Sequence, residues 1–163
     1  MSFSADDIRR LLQLEPLPGE GGFFRETHRS AERTRTPAGE RSAGTAIYYL
    51  LTHDIFSAMH RLPGDEIFHF YLGDPVDMLQ LLPDGTSRTV TLGTDLAAGM
   101  RPQLVVPGGV WQGCRLRAGG KFALMGTTMS PGFDPRDFEV GKRGALITQY
   151  PSQRDAIMAL THA

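Results

Sequence analysis

Residues 60–73 read HRLPGDEIFHFYLG, a stretch that holds two apolar runs on either side of a Pro-Gly pair. Short runs rich in aromatic and β-branched residues, bounded by Pro and Gly, are typical of β-strands. The pattern predicts one strand over residues 56–62 and a second over residues 66–72. Because side chains alternate between the two faces of a strand, His60 and Leu62 are expected to share one face.

The remainder of the chain also consists of short strand-like runs bounded by Gly and Pro. Seven further strand-like runs lie at 23–29, 45–51, 76–82, 87–92, 103–106, 112–116 and 122–129. The Asp84-Gly85 pair between two of these runs is a strong hairpin signal. Nine short strands without an alternating helical rhythm predict an all-β antiparallel sandwich or barrel. The polar segment 33–44 is interpreted as a mobile loop.

Helices are predicted near the two ends of the chain. Ser4 is a suitable N-cap for a helix over residues 5–14. After Pro151 the spacing of Ala156, Ile157 and Leu160 indicates a second short helix with one buried face.

Composition limits the classes of function. The 163 residues carry 17 Lys+Arg against 18 Asp+Glu, so no basic surface for nucleic acid is expected. The single cysteine, Cys114, fits a reducing compartment and is interpreted as a small apolar filler. Since no apolar run approaches the roughly 20 residues that span a bilayer, and no secretory signal is present, a cytoplasmic protein is predicted.

The opening stretch resembles the first conserved motif of the cupin superfamily. That motif has two histidines one residue apart, then a glutamate and a glycine. His60, Glu66 and Gly73 stand at the family's spacing, whereas Leu62 takes the place of the second histidine.

The second cupin motif, Pro-x-Gly followed by a histidine, is represented at residues 107–109, and Gln112 stands in the histidine position. Zinc, iron and manganese sites use at least three good protein ligands. His60 and Glu66 are the two strong ligands left at the motif positions. We therefore predict no tightly bound transition metal and no other cofactor.

Longer segments resemble one branch of the superfamily, small proteins described as predicted sugar epimerases. The matching segments are 20–27, 45–51, 60–75, 106–112 and 131–139. The resemblance implies a single cupin domain over 1–163, an all-β, cupin-type antiparallel jelly-roll barrel with short N- and C-terminal helices. It also implies a homodimer with exchanged N-terminal strands, for which Gly21-Gly22 provides a hinge. The family's usual His-Pro before Glu-Gly-Gly is absent here.

His60 and Glu66 are the central catalytic candidates. A neutral histidine with a carboxylate in a partly dry pocket has the groups of a general base, because the carboxylate orients the imidazole and supports its protonated form. The alternative is a core histidine satisfied by a hydrogen bond. Tyr48 and Tyr71 are candidates for the phenol that returns or donates a proton.

Substrate-binding candidates come from the other motifs. Arg25 and Thr27 follow a glycine pair, and an arginine there can clamp a carboxylate or phosphate or form a surface ion pair. Gln112 is expected to point where a metal would lie. Trp111 is a candidate for stacking on a sugar ring, with a core role as the alternative. His69 is also a candidate, although strand alternation from Glu66 favours packing on the opposite face.

Together these residues predict a metal-independent epimerase or isomerase acting on a sugar or sugar nucleotide. In this hypothesis His60 removes a proton next to a carbonyl. The alternatives are a non-catalytic cupin that binds or senses a small ligand, and a metal-dependent cupin enzyme.

Overall fold

Two antiparallel sheets packed face to face form the protein, which the computed structural model describes over residues 3–162. The six-stranded sheet has the order β1 (Glu15–Pro16), β2 (Phe23–Arg29), β5 (Thr45–Thr52), β12 (Phe122–Met129), β7 (Glu66–Gly73) and β10 (Gln103–Val106). The five-stranded sheet has the order β13 (Glu139–Val140), β6 (Phe56–Arg61), β11 (Trp111–Leu116), β8 (Val76–Leu81) and β9 (Ser87–Leu92). This architecture confirms the predicted all-β antiparallel barrel.

Alternate residues of both sheets fill the space between them. This core includes Tyr49, Phe68, Phe70, Val76, Met78, Leu116 and Met125. Cys114 belongs to the same core, and desolvation there raises the pKa of its thiol, which keeps the sulfur protonated.

Three short helices cover the outer faces of the sheets. Helix α1 (Ala5–Leu12) begins with the predicted Ser4 cap, whose Oγ accepts from Asp7 N at 3.2 Å, and it packs on the six-stranded sheet. Helices α2 (Arg143–Gln149) and α3 (Arg154–Ala159) pack on the five-stranded sheet. The sequence indicated α3 but not α2. Within residues 3–162, no helix has the length and apolarity required to cross a membrane.

The prediction of a mobile loop at residues 33–44 is wrong. Strands β3 (Arg33–Thr36) and β4 (Gly39–Ser42) form a two-stranded hairpin there. Arg41 ties this hairpin to the C-terminal part of the chain, because its guanidinium donates to both carboxylate oxygens of Asp137 at 2.7 and 2.6 Å. A buried charge paired in this way fixes a segment that composition alone presents as flexible.

Candidate functional site

A cavity of about 430 Å³ lies between the two sheets, with walls from β2, β5, β6, β7 and β12 and from residues 133–138. Its lining is mostly apolar and includes Phe24, Phe133 and Phe138. Its ionisable side chains are Glu20, Glu26, Arg29, His60 and Glu66. This volume and a mostly apolar lining with a few polar groups are typical of small-molecule sites.

His60 lies on β6 with only 2% of its surface exposed. Its Nδ1 is 2.7 Å from the carbonyl oxygen of Ala58. Because a carbonyl oxygen only accepts hydrogen bonds, Nδ1 carries the proton, and Nε2 of the neutral ring keeps its lone pair. Within residues 3–162, Nε2 has no hydrogen-bond partner. The ring also stacks on Phe138, with centroids 4.9 Å apart and planes 24° apart, so its orientation is fixed from two sides.

Glu66 begins β7 and is buried, with 8% of its surface exposed. Desolvation raises the pKa of its carboxyl above the ordinary value, and this effect outweighs the opposing effects of His60, Thr127 and Gln112. The prediction that Glu66 orients His60 needs correction, because the Nδ1 hydrogen bond goes to Ala58 O on the same strand. The two side chains nevertheless line one cavity. The cavity wall therefore contains an imidazole and, close to it, a carboxyl group whose pKa is raised by burial.

Gln112 lies on β11 directly opposite His60 in the sheet. Its Nε2 donates to Glu66 Oε2 at 2.7 Å, whereas its Oε1 is buried without a hydrogen-bond partner in the described structure. Gln112 does not line the cavity, so the structure does not place it where a direct contact with substrate was expected. The amide stands behind Glu66 and holds its carboxyl group in place.

The structure does not bring the predicted site residues Tyr48, Tyr71 and Arg25 to this cavity. The two-residue period of β5 turns Tyr49 inward and Tyr48 outward, since Ile47 and Thr45 line the cavity. On the outer face Tyr48 meets Tyr71 edge to face at 6.2 Å, and the Arg25 guanidinium lies 5.7 Å from the Tyr48 ring. These three side chains form a surface cluster on the far side of the sheet from His60.

Three further predicted binding residues lie away from the cavity. Thr27 is exposed and donates to Ala46 O at 3.2 Å. His69 lies on the outer face with Nε2 2.9 Å from Thr128 Oγ1, as alternation from Glu66 indicated. Trp111 packs with the C-terminal helices on the outer face of the five-stranded sheet, with the Arg61 guanidinium 4.5 Å from its ring. The core alternative for Trp111 was therefore the correct one.

Several residues of the cavity were not predicted from the sequence. Glu26 and Arg29 both line it and form a two-bond ion pair at 2.8 Å, because a bulge in β2 between Glu26 and His28 breaks strict alternation. Phe133 and Phe138 come from an irregular segment without strand periodicity. The signal available in the sequence was their presence in the matching segment 131–139.

These features define a small-molecule-binding β-barrel. The family model described as "Cupin superfamily (DUF985)" matches residues 6–141, and the chain belongs to this family. The uncharacterized protein YML079W of Saccharomyces cerevisiae is 31% identical over 132 residues, which cover 72% of this chain and 66% of that protein. The chain thus spans slightly less than two thirds of that relative's length.

Solved structures agree with this assignment. A hypothetical protein from Leishmania major has a TM-score of 0.93 at 33% identity, covering 99% of this chain and 100% of that chain. Oxalate decarboxylase of Bacillus subtilis, which has Mn(II) centres, matches with a TM-score of 0.56 and covers 97% of this chain and 38% of that chain. Its identity is 14%, so this similarity concerns the fold alone.

The residues present here do not fit a transition-metal centre of the cupin type. Within residues 3–162 there is no group of three or more His, Cys, Asp or Glu side chains that could hold a metal ion. Leu62 lines the cavity beside His60 and offers no donor atom. The Gln112 amide, which would ligate through its oxygen, does not line the cavity and is a poor ligand for a transition metal. Two strong ligands remain, one fewer than such metal sites use.

Proposed function

We propose that the protein is a metal-independent proton-transfer enzyme of the epimerase or isomerase type, acting on a small carbonyl compound. The hydrogen bond of 2.7 Å from His60 Nδ1 to Ala58 O is the observation that carries this proposal. It sets the tautomer whose Nε2 can accept a proton, and Nε2 belongs to a side chain in the cavity wall. A buried histidine with a purely structural role is expected to have both ring nitrogens hydrogen-bonded.

Glu66 supplies the complementary acid. When His60 Nε2 takes a proton from the carbon next to a carbonyl, the electron pair moves toward the carbonyl oxygen. A protonated carboxyl group stabilises that oxygen by donating a hydrogen bond or its proton. Burial raises the pKa of Glu66, which supports this role. Protonation of the same carbon from the other face by solvent, with release of the His60 proton to solvent, gives an epimer. Transfer of the His60 proton to the former carbonyl carbon, while the hydroxyl on the first carbon returns a proton to Glu66, gives an isomer.

The cavity lining supports a substrate without net charge in the part that reacts. Glu26 is neutralised by Arg29, and Glu20 accepts from Ser57 Oγ at 2.8 Å. Phe24 and Phe133 provide apolar surface on either side. A deoxysugar has both polar and apolar edges, so it suits this lining better than a fully hydroxylated sugar.

Proton exchange in D₂O tests the proposal. A panel of ketoses, keto-deoxysugars and their nucleotide-linked forms is incubated with the protein, and loss of the carbon-bound proton signal is followed by NMR. His60→Asn should slow exchange by roughly 100-fold or more, as expected for loss of a general base. His69→Asn is the matched control, since His69 lies on the outer face.

Exchange by His60→Asn at the wild-type rate would refute the role of His60. Saturable binding of a panel member without exchange in the wild type would instead favour the binding protein of the alternative hypothesis.

A further inference from the structure

A second cavity of about 340 Å³ adjoins the first one. Leu62, Met129 and Phe133 line both cavities, so these three apolar side chains form the boundary between the two spaces, here called the neck. The outer wall of the second cavity is the tip of the β3–β4 hairpin, with Pro37 and Ala38. The second cavity contains neither His60 nor Glu66, which makes it a compartment for binding and not for proton transfer.

Arg35 is a charged side chain of the second cavity that has no ion-pair partner among the described residues. Arg41 is committed to Asp137, and Asp134 accepts from Arg136 at 2.7 and 2.8 Å. In the described part of the chain, Arg35 makes no ion pair and no side-chain hydrogen bond.

The hairpin register shows why Arg35 stays free. Glu40 lies directly across from Arg35 and would be its natural partner. The Glu40 carboxylate instead accepts from Arg33 Nε at 2.8 Å. Arg35 is exposed, and a guanidinium without an ion-pair partner at the rim of a cavity can bind a carboxylate or phosphate group.

Two arginines and two aspartates line the second cavity, whereas the lining of the first cavity is net negative. Its ionisable groups are three glutamates and one arginine besides His60, and that arginine is paired with Glu26. An anionic group is therefore repelled from the compartment of His60 and attracted to that of Arg35.

We propose that the ligand of this protein is an organic anion that occupies both cavities. Its uncharged head lies beside His60, its apolar middle crosses Leu62 and Phe133, and its carboxylate or phosphate group is bound by Arg35. The identity of the head as a carbonyl group rests on the proposed function. The binding of an apolar anion across the neck does not depend on turnover.

Two fluorescent probes separate the charge from the apolar contact. 1-Anilinonaphthalene-8-sulfonate combines aromatic rings with an anion, and N-phenyl-1-naphthylamine has the same rings without the sulfonate. Arg35→Gln should weaken binding of the sulfonate by about 3- to 10-fold, as expected for loss of a charge-assisted hydrogen bond. It should leave binding of the neutral probe unchanged. Arg115→Gln, which removes an exposed arginine outside both cavities, should change neither affinity.

A second variant tests the hairpin argument. Arg33→Gln releases Glu40 to pair with Arg35, so it should also weaken sulfonate binding although Arg33 does not line the cavity. Competition by 4-phenylbutyrate and by phenyl phosphate then shows whether a carboxylate or a phosphate is preferred. A crystal structure with the sulfonate probe should place its rings over Leu62 and its sulfonate against Arg35.

The proposal is overturned if the wild type does not bind the sulfonate probe, if Arg35→Gln binds it as tightly, or if Arg115→Gln loses as much affinity. His60→Asn distinguishes this proposal from the proposed function. That variant should retain the preference for the sulfonate over the neutral probe even where proton exchange is lost.

Discussion

The stack between His60 and Phe138 can be tested by replacing Phe138 with leucine, which keeps apolar volume and removes the ring. Stacked aromatic pairs contribute about 0.5–1.5 kcal/mol beyond the area they bury. His60 is 98% buried, so the stack is shielded from water, and its hydrogen bond to Ala58 is kept in the variant. Phe138→Leu should therefore lower the free energy of unfolding by about 1–2 kcal/mol, which includes the loss of buried apolar area. His60→Asn removes both the stack and the hydrogen bond and should cost about 1–3 kcal/mol.

A double-mutant cycle isolates the stack. If His60 and Phe138 stabilise each other, the double variant should be less destabilised than the sum of the two single variants by about 1 kcal/mol. Urea unfolding followed by the fluorescence of Trp111, the single tryptophan, measures all four proteins. Losses that add to within about 0.3 kcal/mol would refute the coupling. Proton exchange provides the second readout, since Phe138→Leu should slow it by freeing the His60 ring, whereas a packing role alone would leave the rate unchanged.

Three further predictions concern the charge of the site, its metal affinity and the assembly. Because burial raises the pKa of Glu66 above its ordinary value of 4.5, the wild type should lose stability as the pH rises through 4.5 toward the folded-state pKa. Glu66→Gln should lack this contribution to the pH dependence. Urea unfolding midpoints of both proteins at pH 4 and pH 8 measure the difference. After chelator dialysis the wild type should retain less than about half an equivalent of transition metal, and Leu62→His, which adds a third strong ligand, should retain more by elemental analysis. Light scattering should give a homodimer, and a mass near one chain at micromolar concentrations would contradict this.

The strands could be predicted because alternating apolar residues and bounding Gly and Pro residues are local properties of the sequence. The runs at 23–29, 87–92, 103–106 and 122–129 match the observed strands at both ends. The hairpin at 33–42 could not be predicted in the same way, because its apolar content is low. It is held by Arg41, whose partner Asp137 lies 96 residues further along the chain.

The candidate site was predicted in part, and the errors have two physical causes. Alternation within a strand gives two faces but does not tell which face is inward, and here the core contains Tyr49 while Tyr48 faces outward. A bulge then places both Glu26 and Arg29 on the cavity wall, against simple alternation. His60 and Glu66, the two residues predicted from motif spacing, both line the cavity.

Leu62 affects both the capacity of the cavity to bind a metal and the polarity of the boundary between the two cavities. It occupies the position of a cupin histidine, and it is also one of three side chains shared by the two cavities. An imidazole there would add a ligand beside His60 but would also place a polar ring in the neck, where the apolar middle of a ligand must pass. Polar groups without a hydrogen-bond partner are costly to bury, so a histidine would favour a metal or water at that point. Leucine provides no ligand atom and keeps this boundary apolar, so one side chain determines both properties of the binding space.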